Sequence, residues 1–371
     1  MLRLFRRPLT ILAFESSADD TCAAVLTSTR KILSNVVIKQ HEVHESWGGI
    51  HPAAAVMAHQ RNMPIAAKRA LTEAGLDISQ VDGIAFTRGP GIGGCLGVSC
   101  NAAKTLAAVH NKPVVGVHHM QAHALTPLLT SWPDVPSFPF LTFLVSGGHT
   151  LLVLAESLTS FKIIATTRDE SIGRTFDKVS RMLELSWDGI GPGAALERFC
   201  AGPEQGSLPD GFYPFPRPMP GQLAFSYASL HSHVERYLHF NGGIESVSLP
   251  SKLAIARSFQ LAAFSQLEDK LLLALQWCAN KSLDVRHLVV SGGVASNTLL
   301  RERLNACLKN APTPLSVIFP PPSLCTDNAV MIAWASMHRF LAHDYDDYSI
   351  NPRAKWSIEE LHDKSEDRDM S

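Results

Sequence analysis

Apolar and polar positions alternate between two periods along the chain. Residues 10–15 form a short apolar run, the polar turn Ser16-Ser17-Ala18-Asp19-Asp20-Thr21 follows, and strand-like runs at 22–27 and 32–38 come next. Apolar residues at helical spacing then fill 53–74 and stop at Gly75, a residue that readily takes the left-handed conformation ending a helix. Residues 82–87 read as a strand opening into Gly89-Pro90-Gly91-Ile92-Gly93-Gly94; a helix of small residues runs to about His110, and 113–117 is one more strand.

The order then repeats. Strands are expected at 140–145, 151–155 and 161–166 around the turn 146–150, with helices at 175–185 and about 251–280. A strand at 286–290 leads into Ser291-Gly292-Gly293-Val294, a helix starts at Asn297, and a strand at 315–319 and a helix from Asp327 to about Leu341 close the pattern. Between them, residues 186–249 break the order with Gly189, Gly191, Gly193 and a run of prolines. They read as an irregular insertion, either a substrate-facing loop or a passive excursion. The repetition predicts a duplicated α/β fold of two lobes, 10–135 and 136–345, with a central cleft where turns at strand C-termini converge, and a tail at 346–371.

Composition narrows the function classes. Of 371 residues 46% are hydrophobic and 18% charged, enough apolar chain for a sizeable core and too much for disorder. Lys and Arg number 33 against 34 Asp and Glu, so no basic field covers the protein, which argues against a histone-like role but not against an enzyme gripping nucleic acid locally. Seven scattered cysteines without a CxxC pair argue against a disulfide framework or zinc ribbon and for a reducing compartment. The longest uncharged stretches, 113–133 and 135–155, are interrupted by prolines and turns, so no membrane-spanning helix is expected. Before Glu15 there is no acid, while Arg3, Arg6 and Arg7 interleave with Leu2, Leu4 and Phe5; residues 1–9 carry the charge pattern of a short mitochondrial presequence.

Three motifs carry candidate chemistry. His119 and His123 are four apart, so on a helix their rings share a face and can grip one metal ion, although a satisfied polar patch has the same spacing. Met120 and Gln121 follow His119 where a zinc peptidase would need glutamate. Cys325-Thr326-Asp327-Asn328 opens the final helix; Asp327 is either a cap or a third metal ligand, and two imidazoles with one carboxylate leave open positions on iron, manganese or zinc. The turns 89–94, 146–150 and 291–297 occupy matching places, as in a nucleotide site, but no P-loop motif is present.

Together Phe14–Thr21, the His119/His123 pair, Leu144–His149, Phe176-Asp177-Lys178, Phe215-Pro216-Arg217-Pro218, Ser291–Val294 with Asn297, and Cys325–Asn328 resemble the tRNA N6-adenosine threonylcarbamoyltransferase family, formerly labelled O-sialoglycoprotein endopeptidases. The likeness covers about residues 10–355 and, with the arginine-rich start, is strongest to the mitochondrial branch. It implies the actin, sugar-kinase and heat-shock ATPase (ASKHA) fold. It also implies transfer of threonylcarbamoyl from threonylcarbamoyl-AMP to N6 of adenosine 37 in tRNAs reading codons that begin with adenine. The implied metal ligands are His119, His123 and Asp327, holding one divalent ion per subunit, iron or zinc. The implied adenylate contacts are Leu144, Val145, Ser146, Gly147, Gly148, Asp177, Gly193, Glu197 and Asn297. Asp19 either orients or deprotonates the adenine amine or caps its turn. The resemblance further implies a homodimer in the mitochondrial matrix, with no membrane attachment. Arg61, Lys68, Arg69, Arg168, Arg174, Lys178, Arg181 and Arg217 are candidate tRNA contacts. Two departures stand out: the family's usual cysteine after its Glu-x-Ser element is Ala18, and a bacterial Ser-Gly-Leu-Lys stretch appears as Ser226–Leu230. The rival readings are a small-molecule kinase, a metallopeptidase and a non-catalytic scaffold.

Overall fold

The computed structural model describes residues 7–45, 47–202, 207–309, 311 and 315–361; most of the expected presequence and the end of the tail lie outside the described residues. The chain divides into two compact units, one of residues up to Val135 and from Asp327 onward, the other Pro136–Thr326.

In the first unit β1 (Thr10–Glu15) lies in the middle of a five-stranded sheet and is buried along its whole length, which is why the run is apolar on both faces. Beside it β2 (Thr21–Thr27) and β3 (Ile32–Ile38) make an antiparallel meander. After α1 (His41–Glu45), helix α2 (Pro52–Ala74) ends on Gly75 at φ 66° as its sequence predicts. On the other side of β1, β4 (Gly83–Gly89) and β5 (Val114–His118) run parallel to it, joined by α3 (Gly93–Val109), and α4 (His119–Thr130) leaves directly from β5.

The second unit reuses the scheme. Strands β6 (Phe140–Val145), β7 (Thr150–Ala155) and β8 (Phe161–Thr167) form the antiparallel meander. Helices α5 (Ile172–Met182) and α6 (Pro192–Cys200), strand β9 (Ala224–Phe225), helix α7 (Ala228–Phe240) and the long α8 (Leu249–Asn280) follow. Strand β10 (His287–Ser291) is parallel to β6 and leads to α9 (Thr298–Lys309), after which β11 (Ser316–Ile318) and the single turn α10 (Pro322–Cys325) complete the unit. The region expected to be an irregular insertion therefore contains α6, β9 and α7. Leu196, Leu230, Val234 and Leu238 on these helices enter the core of the unit, and the prolines are concentrated in the segment between α6 and β9.

The expected lobe boundary at 345 is corrected. Helix α11 (Ala329–Leu341) packs on β1, β2, β4 and α4, so everything from Asp327 belongs to the first unit. Its apolar face demands that sheet: Phe340 lies flat on Gly83, where a Cβ would meet the ring at 2.2 Å. The tail is shorter than expected as well. Asp346 bridges to Val114 and accepts from the Gly116 amide (2.7 Å), Arg339 pairs with Asp344 and Asp346, and Ile350 packs on the core. Among the described residues no helix is long and apolar enough to cross a membrane. Replacing Phe340 by alanine should cost about 3–5 kcal/mol, the usual range for a buried phenylalanine, read as a lowered urea midpoint; an unchanged midpoint would show that α11 is not anchored this way.

Candidate metal centre

The site starts where β5 becomes α4. His118 keeps extended backbone (φ −77°, ψ 122°), and its Nδ1 accepts from the amides of Met120 (3.1 Å) and Gln121 (3.4 Å), capping the helix. Its Nε2 then carries the proton and donates to the Trp356 carbonyl at 3.2 Å. Because His118 is the cap, His119 is the first residue of α4 and His123 stands one turn later on the same face, with ring centroids 4.7 Å apart.

Asp327 completes the group. Asn328, not Thr326 or Asp327, caps α11, accepting from the Met331 amide at 2.9 Å. The carboxylate before it is thereby left to the histidines: Asp327 Oδ1 is 3.0 Å from His123 Nε2 and 3.4 Å from His119 Nε2. Behind His119 sits Glu15, fully buried at the end of β1, with Oε2 3.2 Å from His119 Nδ1. A carboxylate survives there because it is well supplied with donors: the Thr87 hydroxyl to Oε2 and the Ser17 amide (2.5 Å) to Oε1. With Nδ1–H turned to Glu15, His119 presents Nε2 to the group.

The electrostatics follow from this packing. Burial works against charge on His119, but the Asp327 and Glu15 carboxylates prevail and push it up to about 10. Burial alone would raise Asp327; His119 and then His123 outweigh it and hold the carboxyl well below the usual range. His123 is pushed down, chiefly by burial. The donor set, two imidazole nitrogens and a carboxylate oxygen within 4.8 Å of one another, suits a divalent ion of the iron, manganese or zinc type, and Glu15 supplies the outer carboxylate that such histidine ligands use.

The second unit holds the other expected contacts. Leu144 and Val145 are buried at the end of β6, so only their backbone can meet a ligand. Ser146 Oγ accepts from the amides of Gly148 (3.2 Å) and His149 (3.1 Å), so the Gly148 amide is already engaged, whereas the Gly147 amide makes no hydrogen bond among the described residues. The turn is pinned by Ser171, whose hydroxyl donates to the Gly147 carbonyl (2.5 Å), and by Gly173, where a Cβ would sit 2.6 Å from Ser146. Ser171 caps α5, and Asp177 stands mid-helix beside Gly193, where a Cβ would lie 3.3 Å from its Oδ1. Glu197 accepts from the Thr298 amide at 2.8 Å. Asn297 is buried, with Oδ1 on the Leu300 amide (3.1 Å) and Nδ2 donating to Gln260 (3.4 Å).

Comparison with known proteins now bears on this geometry. The sequence model of the tRNA N6-adenosine threonylcarbamoyltransferase (TsaD) family matches residues 31–334. The chain is 38% identical to the mitochondrial tRNA N6-adenosine threonylcarbamoyltransferase of Schizosaccharomyces pombe, over 96% of this chain and 88% of that one. The chain belongs to the tRNA N6-adenosine threonylcarbamoyltransferase family. A bacterial family member from Rickettsia bellii is 37% identical over 95% of this chain and 99% of its own. Among solved structures, the (R)-2-hydroxyglutaryl-CoA dehydratase component A of Acidaminococcus fermentans resembles it in fold, with TM-score 0.53 and 14% identity over 89% of this chain and 98% of that one. The expected duplicated ASKHA fold is thus shown, and the family is one of transferases.

Several residues that build the site escaped the sequence reading. Glu15 and Ser17 lie on a quoted family element but carry no spacing signal toward His119, 104 residues away in the chain for Glu15. Gly173 and Gly292 are needed for close approach; at Gly292, with φ 99°, a Cβ would lie 2.3 Å from the Val145 carbonyl oxygen. Gly173 carried no sequence signal, since it lies ahead of the helix expected from 175 and falls in the first turn of α5.

Two outcomes are expected. Changing Glu15 to Gln should weaken metal affinity about 10–100-fold, as loss of outer-ligand carboxylates does, measured by competition with a chelator; unchanged affinity would remove Glu15 from the site. Because His119 is charged at neutral pH until an ion takes its Nε2, loading at pH 7 should release about one proton and weaken as the pH falls. Calorimetry in two buffers of different ionisation enthalpy counts that proton, and a buffer-independent heat would contradict it.

Proposed function

We propose that this chain transfers threonylcarbamoyl from threonylcarbamoyl-AMP to N6 of adenosine 37 in tRNAs that read codons beginning with adenine. The observation that supports the reading is the meeting of His119 Nε2, His123 Nε2 and Asp327 Oδ1 in one group. One divalent ion held there, iron or zinc, would supply Lewis acidity toward phosphate and carbamoyl oxygens. In the reaction the N6 amine attacks the carbamoyl carbon, the bond from that carbon to the phosphate oxygen breaks, AMP leaves, and one amine proton is lost. No protein nucleophile is required.

The chain's own groups take defined parts. In the first unit Glu15 holds the orientation of His119. Asp19, raised above the usual carboxylate range by burial and by the Asp327 charge, orients the amine or takes its proton. In the second unit the Gly147 amide, without a partner among the described residues, is the donor we assign to the developing negative charge, with Ser146 holding the turn in shape. Leu144 and Val145 through their backbone, Gly148, Asp177, Gly193, Glu197 and Asn297 are the remaining residues assigned to the adenylate. Arg174, Lys178 and Arg181 share one face of α5 and are assigned to tRNA phosphates, Lys178 being paired with Glu170. Arg168 and Arg217, and on α2 Arg61, Lys68 and Arg69, are further candidates. Exposed Met57 and Ile65 on α2 offer apolar surface for the expected homodimer. Arg3, Arg6 and Arg7 and the mitochondrial name of the yeast relative support the matrix as its location.

With threonylcarbamoyl-AMP and A37-bearing tRNA the purified protein should yield the modified nucleoside, and His119→Ala should reduce it below detection by mass spectrometry; undiminished product would take the metal group out of the reaction. Replacing Arg174 and Arg181 together by Glu should raise KM for tRNA, leave that for the adenylate unchanged and flatten the salt dependence by about two phosphate contacts; an unaltered salt slope would place tRNA elsewhere.

A further inference from the structure

A second set of ligand-type side chains stands on the polar turn between β1 and β2. Asp19, Asp20 and His41, the last opening α1, each place one candidate ligand atom within 4.8 Å of the other two. A single ring holds the backbone that carries them. His59, fully buried on α2, donates from Nε2 to the Ala18 carbonyl (3.0 Å), beside Asp19. Its Nδ1 accepts from the Thr21 hydroxyl (2.8 Å), beside Asp20, and from Gln40 Nε2 (3.2 Å), beside His41. Gln40 is fixed in turn by His44, which donates from Nε2 to Gln40 Oε1 at 3.1 Å. Each of the three residues thus has a chain neighbour bonded to one rigid imidazole, the kind of support that holds ligands in register before an ion arrives.

Asp20 carries a buried carboxylate oxygen, Oδ1, that no donor meets among the described residues. The residue is only 9% exposed, and that oxygen is sealed from solvent. Burial and its acidic neighbours raise the Asp20 carboxyl, so that its charged form is favoured only when a cation or another partner meets it. Among the described residues no lysine or arginine forms an ion pair with Asp19 or Asp20. The two adjacent carboxylates repel one another and the Asp327 charge, and Lys39, His41 and His44 are the cationic groups that act on them.

We propose that Asp19, Asp20 and His41 bind a divalent cation of their own, of the manganese, iron or zinc type, in addition to any ion on His119, His123 and Asp327. Two carboxylate oxygens and one imidazole are a borderline donor set that favours these ions over magnesium or calcium, and three ligands leave positions for water or substrate oxygens. Bound through one oxygen, Asp19 keeps the other for orienting an amine, so the cation is compatible with the role assigned to Asp19 above.

The inference does not depend on the transferase reading, because it is tested by counting ions. Chelator-stripped full-length protein is dialysed against Mn²⁺, and bound metal is measured by mass spectrometry and electron paramagnetic resonance. Wild type should hold two equivalents, His119→Ala one, Asp20→Asn one, and the double variant none. His41→Ala, on a half-buried surface position, should weaken the second site at least tenfold with an unchanged melting temperature in the absence of metal, which keeps the test decisive if Asp20→Asn folds poorly. One equivalent that Asp20→Asn and His41→Ala both retain would overturn the proposal. One equivalent lost in Asp20→Asn but kept in His119→Ala would support it and count against the first site.

Discussion

One carboxylate oxygen meeting two imidazole nitrogens sets the terms for the first unit. Asp327 Oδ1 lies within 3.4 Å of both His119 Nε2 and His123 Nε2, and those residues come from chain segments about two hundred positions apart. Such a meeting requires three placements at once. Helix α4 must start at His119, which His118 ensures by taking the cap; α11 must pack on the sheet of the first unit, which its buried face enforces; and the capping of α11 must fall to Asn328 so that Asp327 is left over. A shift of one residue in either cap would turn the carboxylate or a ring away, since successive helical residues point about 100° apart.

The same group explains an otherwise costly feature, a glutamate with no solvent exposure at the end of an apolar strand. Glu15 is stabilised by the Ser17 amide, the Thr87 hydroxyl and His119, so that its charge fixes Nδ1–H of that ring toward itself and leaves Nε2 toward Asp327. Burial, which alone would neutralise each member, is offset by mutual attraction, with Asp327 held low and His119 held high. The turn after β1 shows the opposite balance: Asp19 and Asp20 are raised because burial and like charge act together there.

In the second unit backbone approach matters more than charge. The turn after β6 is shaped by Ser146 Oγ, by the Ser171 hydroxyl and by the absence of side chains at Gly173 and Gly292, and among the described residues the Gly147 amide has no partner. The anion preference of such turns comes from oriented N–H groups, and a single Cβ at Gly173 would push the helix off the turn that displays them.

Much of this was legible in the chain itself. Periodicity placed every strand but β9 and the helices α2, α3, α5, α8, α9 and α11, because buried strands are short unbroken apolar runs and long helices repeat every three to four residues, and Gly75 ended α2 because an αL residue closes that helix without strain. The combination of motifs likewise identified the family and pointed to His119, His123 and Asp327. Two regions misled: prolines and glycines at 186–249 hid α6 and α7, whose packing faces are short, and sequence order assigned α11 to the half that precedes it. Partnership across the fold was decided by tertiary structure alone. That α11 returns to the first sheet, that Glu15 stands behind His119, and that one histidine, His59, bonds Ala18, Thr21 and Gln40, the neighbours of Asp19, Asp20 and His41, are outcomes of packing between distant segments, and local spacing carries no record of such distances.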